Sequence, residues 1–347
     1  MPRNVSTAAS AIRSSVAADG SAAVPANIAW FSWTGGRRRR GTRPGWGFVG
    51  GSWFDVAVTT VGAVFLPQFP PERLRSVAEA ADEAGLAQLW LWEDCFWEGG
   101  IASAAAALAW TERLQVGVGL LPVPLRNVAL SAMELCTLHR MFPGRPVIGV
   151  GHGVQEWMGQ VGARAESPLT LLREYVDALR TLLAGEPLST QGRYVRLDRV
   201  HLGAPPPTAP AVLAGAEGPR TLRLAGGHAD GTILTGGTTP EQAARAREHI
   251  EAGRAEAGRT GPHPITVYVL AAGGPDARDR IERDGRRWGF PSTADRAAYG
   301  SVDDVAAGVS RWVEAGVDTV VLQPTADEPD LEGFVAFAAE VGRALTP

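Results

Sequence analysis

Lysine is absent: all 33 basic residues are arginine. That removes Schiff-base lysine chemistry and the lysine of a P-loop from the functions open to the chain. Cysteine is nearly absent. Cys95 and Cys136 stand alone, too few for a disulfide framework or a zinc ribbon, and a reducing cytoplasm is the simplest compartment. His139, His201, His228, His249 and His263 show no metal-ligand spacing with one another or with cysteine, so no metal is expected. No uninterrupted apolar run reaches 18 residues; the alanine-rich stretch 101–108 is closed by Thr111-Glu112-Arg113, so no membrane span is expected. A serine nucleophile elbow is also missing, which leaves hydrolase chemistry without support.

What is present is glycine (42), proline (25) and a 45% hydrophobic content over 347 residues, enough for one barrel of about 250 residues or more. Residues 1–55 differ from the rest. They hold seven arginines against two acidic residues, a charge of +5 in a chain of −4, which leaves −9 for the remainder. Arg37–Arg40 beside Trp30, Trp33, Trp46 and Trp53 could supply charge and aromatic contact to nucleic acid or a membrane surface. No apolar segment followed by a cleavage site marks a targeting peptide. The expectation is a disordered or non-native extension, with the native chain starting between Val56 and Val61 and a single domain over residues 56–347. No functional reading rests on the extension.

From residue 61 the chain alternates short apolar runs with amphipathic ones. Strands are predicted at 61–66, 87–92, 114–120, 147–150, 211–214, 231–235, 265–271 and 317–322. The intervening helices fall at 71–84, 102–110, 128–140, 168–184, 219–225, 239–252, 301–314 and 331–345. Ser167-Pro168 reads as a cap with proline in the first turn, and 189–201 reads as a polar hairpin. Strict strand–helix alternation argues for a (β/α)₈ TIM barrel over an open doubly wound sheet, and such barrels place their chemistry at the C-terminal strand ends. The stretch 273–300, with five arginines between 278 and 287, exceeds a normal connection and reads as a long loop, of the length of functional lids or mobile segments.

Three strand ends carry the candidate chemistry: Trp92-Glu93-Asp94-Cys95-Phe96-Trp97, Gly117-Val118-Gly119 with the following Pro124-Leu125-Arg126-Asn127, and Gly149-Val150-Gly151-His152-Gly153. With Gly215-Ala216-Glu217-Gly218 ahead of Pro219, this series resembles the luciferase-like superfamily of flavin- and F420-dependent oxidoreductases over about residues 60–345. The resemblance implies a (β/α)₈ barrel, FMN or coenzyme F420 as cofactor, and two-electron transfer or oxygen insertion on a small organic substrate. Where flavin members read Glu-His-His-Phe and F420 members Asp-His, this chain has Asp94 and Cys95. Asp94 is therefore the candidate proton acceptor, with Glu93 and Cys95 as further catalytic candidates. In–out alternation turns Glu93 away from Asp94, toward the helix layer or a cap.

The resemblance also implies a backbone bulge at Gly117, Val118 and Gly119 bracing the ring. Gly151, His152 and Gly153 are implied near the phosphate or pyrimidine. Gly215, Ala216, Glu217 and Gly218 would bind the phosphate through backbone N–H groups at a helix start, the arrangement a lysine-free chain needs. Val154 stands where several F420-dependent sugar-phosphate dehydrogenases carry glutamate, which argues against that activity. Trp92, Phe96, Trp97 and Arg126 are candidate substrate contacts and favour an apolar or aromatic molecule. Two alternatives stay open: a catalytically silent flavin-binding protein of the same fold, motivated by the missing histidine, and a phosphate-binding barrel isomerase. The expected partner is a small molecule, with neither nucleic acid nor membrane, and a homodimer is the one protein assembly considered.

Overall fold

The computed structural model describes residues 59–345; the expectation for residues 1–55 lies outside the described residues. In chain order the elements are β1 (Thr60–Phe65), α1 (Leu74–Ala84), β2 (Gln88–Leu91), α2 (Gly100–Trp110), β3 (Gln115–Pro122), α3 (Val128–Met141), β4 (Pro146–Gly151), α4 (Gln155–Gln160), α5 (Pro168–Leu183), β5 (Leu188–Gln191) and β6 (Arg196–Val200). They continue as β7 (Val212–Gly215), α6 (Pro219–His228), β8 (Gly231–Leu234), α7 (Pro240–Glu256), β9 (Ile265–Gly273), α8 (Ala277–Arg287), β10 (Ala297–Gly300), α9 (Val302–Glu314), β11 (Thr319–Gln323) and α10 (Leu331–Ala344).

Eight of the strands close into a parallel barrel in the order β1-β2-β3-β4-β7-β8-β9-β11. Closure comes from Thr232 opposite Ile265 and from Thr60 opposite Thr319. Strands buried on both faces need no alternation, which is why β2, β7, β8 and β11 are short and buried at every position. The helices turn their apolar stripes inward: α5 buries Leu172, Val176, Leu179 and Leu183 behind a Ser167 cap whose hydroxyl accepts from the Thr170 amide. The polar hairpin is β5 paired antiparallel to β6.

Carboxylates tie the strand entrances together. Asp82 accepts from the amides of Glu112, Arg113 and Leu114 at 2.7–3.0 Å, where β3 begins. Asp230 receives Arg180, Arg259 and the Val212 amide where β7 begins. Both devices stand at strand entrances, at the end of the barrel opposite the strand exits.

One expectation is corrected. The stretch 273–300 is not a loop: α8 packs Ala277 and Ile281 into a small apolar cluster with Leu270, Ala272 and Ala297, and β10 adds a ninth parallel strand beside β9. Buried Arg280 anchors the segment through Glu328 at 2.5 Å and the Gly273 carbonyl at 2.6 Å.

Candidate active site

β2 ends on Leu91, and the chain leaves the barrel through Trp92, Glu93 and Asp94. Glu93 turns toward the helix layer. Its carboxylate accepts from the Gly100 amide at 2.6 Å, at the start of α2, and from Arg126 at 2.6 and 3.2 Å. Arg126 also reaches Glu134 at 3.1 Å. With side chains only 10% and 18% exposed, Glu93 and Arg126 are engaged with each other, and Arg126 is not held out toward a substrate.

Asp94 faces the other way. Its half-buried carboxylate has no hydrogen-bond or ion-pair partner among the described residues, and burial pushes its pKa up to about 6. A carboxylate withdrawn from water without compensation behaves this way, and the value suits proton exchange near neutrality. Cys95 contributes differently: burial first, then the charges of Asp94 and Glu93, push its thiol up. It therefore stays protonated at neutral pH and has no thiolate to offer.

β3 bulges between Val118 and Leu121, where its register against β4 shifts, and its Gly119–Leu120 peptide is cis. The glycines have neighbours that explain them. A Cβ on Gly117 would enter the Trp90 indole, and one on Gly119 would enter the Tyr268 hydroxyl. Tyr268, from the middle of β9, donates to the Gly119 carbonyl at 3.1 Å. Its ring meets Trp90 and Trp92 edge-on at 6.0 and 5.2 Å. Burial raises the pKa of its hydroxyl far above the ordinary tyrosine range, the Trp92 indole N–H opposes that, and the charge of Asp94 adds to it. Trp92 Nε1 is buried without a hydrogen bond of normal geometry among the described residues. Asp94, Trp92, Tyr268 and the bulge therefore form one cluster at the barrel mouth. Above it Phe96 and Trp97 are 64% and 61% exposed, and Trp288 of the 273–300 segment packs against Trp92.

The bulge carries Leu120 toward the next strand ends. Its side chain occupies the space that a Cβ on Gly151 or Gly215 would need, so these two glycines make room for leucine. His152 and Glu217 come together on this rim. Burial holds His152 below its usual pKa, while its hydrogen bond to the Gly153 backbone and the Glu217 charge oppose the shift.

At the start of α6 the Ala216 amide is committed to the Ile233 carbonyl at 3.0 Å. The amides of Glu217 and Gly218 have no acceptor among the described residues. Those of Arg220 and Thr221 lie in the first helical turn, which supplies none. A cavity of about 480 Å³ adjoins this start, lined among others by Ala216, Glu217, Arg245, His249, Phe290 and Arg296. A larger one, about 710 Å³, lies between the β3–α3 connection, α5 and the β5–β6 hairpin; of the candidate residues it touches only Arg126. Chemistry follows the strand ends, not the larger volume. Among the described residues no cluster of histidine, cysteine and carboxylates could hold a metal.

Sequence reasoning missed Tyr268 and Leu120. Tyr268 is the one polar-tipped side chain in the aliphatic run Val267–Ala272, which was the available signal. Leu120 left none.

The sequence model of the luciferase-like monooxygenase family matches residues 53–283. Among characterised proteins, a 5,10-methylenetetrahydromethanopterin reductase of Methanolobus tindarius is 30% identical over 213 residues, 61% of this chain and 64% of the relative. An F420-dependent glucose-6-phosphate dehydrogenase of Nakamurella multipartita is 28% identical over 278 residues, 76% of this chain and 78% of the relative. The match thus spans slightly less than two thirds of the first relative's length and more of the second's. In fold, an F420-dependent secondary alcohol dehydrogenase in complex with an F420-acetone adduct superposes with a TM-score of 0.75 at 20% identity, covering 83% of this chain and 99% of that one.

Proposed function

The chain belongs to the luciferase-like monooxygenase family, and from that membership we propose that it is an F420-dependent oxidoreductase whose Asp94 exchanges the proton that accompanies hydride transfer. The observation that carries this reading is the unpaired, half-buried Asp94 carboxylate at the mouth, with its pKa near 6.

The residues present fit a flat, phosphorylated cofactor. The amides of Glu217, Gly218, Arg220 and Thr221 offer unclaimed donors where a helix start favours an anion, and His152 shares that rim. The bulge at Gly119–Leu120, one step beyond the expected Gly117–Gly119, would face the ring. When bound, such a ring supplies the two-electron chemistry. F420 is preferred to FMN because the Nakamurella multipartita relative is an F420-dependent dehydrogenase.

Mostly ionised at pH 7, Asp94 accepts a proton at Oδ from a substrate oxygen as that substrate is oxidised, and its acid form returns the proton in the reverse direction. Glu93 and Arg126 fix the turn that presents Asp94. Phe96, Trp97 and Trp288 give the mouth an apolar rim suited to a small substrate with an apolar body. We treat residues 56–347 as one domain, assign no nucleic-acid partner, leave self-association to a homodimer as the one protein assembly, and place the protein in the cytoplasm, in keeping with two free cysteines. Among the described residues no helix is long and apolar enough to cross a membrane.

Fluorescence titration with F420 and with FMN, followed by anaerobic mixing with a panel of apolar secondary alcohols, tests this. F420 binds and is reduced by at least one alcohol in the wild type, and Asp94→Asn binds it equally but reduces it about 10²-fold more slowly. Binding of FMN alone, or an Asp94→Asn variant at the wild-type rate, contradicts the reading.

A further inference from the structure

The Tyr268 hydroxyl has the surroundings of a part under specification. It lies on the strand across the barrel from the bulge, is 4% exposed as a residue, and spends its proton on one acceptor, the Gly119 carbonyl at 3.1 Å. Its ring is wedged edge-on between Trp90 and Trp92, and Trp90 is itself pinned by a 2.9 Å bond from Nε1 to Gln88. Gly119 has no room for a side chain because the hydroxyl occupies that space, and Gly117 has none because of Trp90. On the far side, Leu120 fills the space beside Gly151 and Gly215. The bulge is therefore gripped from two directions, and only the Tyr268 grip is a directional bond. Phenylalanine would fill the same apolar volume, so packing alone does not call for the hydroxyl.

We infer that Tyr268 is a positioning residue of the redox site, its hydroxyl fixing the height and tilt of the Gly119–Leu120 bulge relative to Asp94; this rests on the reading above that the bulge braces the cofactor ring. A buried carbonyl that loses its donor seeks another, by rotating its peptide or admitting water. Either response moves the backbone that supports the ring. The same hydroxyl lies within the electrostatic reach of Asp94, so moving the bulge also changes the distance over which a substrate on the ring meets its proton acceptor.

Tyr268→Phe in the full chain provides the test, with two readouts. Without cofactor, amide exchange in the segment 116–122 quickens at least about tenfold in the variant, while the β7 and β11 segments keep wild-type protection. With F420, affinity stays within about threefold, but the absorbance maximum of the bound ring moves by several nanometres and reduction slows at least about tenfold. Gly119→Ala, which collides with the hydroxyl, impairs binding in the wild-type background more than in Tyr268→Phe, so the pair is non-additive. Unchanged exchange together with an unchanged spectrum overturns the role of Tyr268, whatever happens to melting temperature. If the unmodified chain binds no F420, the cofactor reading fails separately, and the exchange result alone decides whether Tyr268 holds the bulge.

Discussion

Neighbouring carboxylates in this site have opposite fates, and the difference follows from what each meets at one strand exit. Glu93 is fully partnered and Asp94 is not. The folded state raises the pKa of Asp94 from 3.8 to about 6, so the folded chain binds the proton more tightly than the unfolded one. Stability is therefore lost, not gained, as pH rises from about 4 through 6. Asp94→Asn removes that penalty. It should melt higher than the wild type at pH 8, by an amount on the order of 1–2 kcal/mol after allowing for solvent screening, and the advantage should vanish near pH 4. Calorimetry at the two pH values checks this; a variant less stable at pH 8 would mean that the carboxylate has a stabilising partner. The opposite directions of Asp94 and Glu93 were expected from in–out alternation, although β2 ends at Leu91 and both residues stand in the exit beyond it. The role of Tyr268 was not legible in the sequence, because a hydroxyl bonded to a backbone carbonyl from a strand far along the chain leaves no local pattern.

At the scale of elements, the turn after β2 is held by Glu93, Arg126 and the start of α2. Removing one partner of a buried pair strands the other, so Glu93→Gln should cost on the order of 2–4 kcal/mol in urea unfolding while the rate of reduction stays within about threefold. A stable variant with no activity would pass the proton-accepting role to Glu93. The start of α6 responds in the opposite manner. Gly218 has an ordinary φ of −80° and open space where a Cβ would stand, so Gly218→Val should leave the melting temperature unchanged. It should weaken F420 at least about tenfold while sparing the same ring without its phosphate, as titration of both forms would show. Equal weakening of the two would move the phosphate elsewhere. The start of α6 could be read from Gly-Pro ahead of an amphipathic run, whereas α8 and β10 could not. Ala277 and Ile281 are the only apolar anchors in an arginine-rich helix, and β10, Ala297-Ala298-Tyr299-Gly300, has no β-branched apolar run to mark it.

At the scale of the molecule, the barrel was legible because strand–helix alternation survives through eight units, each bounded by turn residues. Ring closure was not, since it depends on the pairing of β8 with β9 and β11 with β1, which no periodicity encodes. The closed ring brings residues from β2, β3 and β9 to one mouth, and the central claim is that Asp94 works there as the proton acceptor. Its most direct test is the pH dependence of single-turnover F420 reduction by a reactive alcohol in wild type and Asp94→Asn. The account predicts a wild-type rate that rises with pH through about 6 and levels above 7, and a variant rate about 10²-fold lower and flat across that range. A variant that keeps the wild-type rate and the same inflection would show that another group takes the proton.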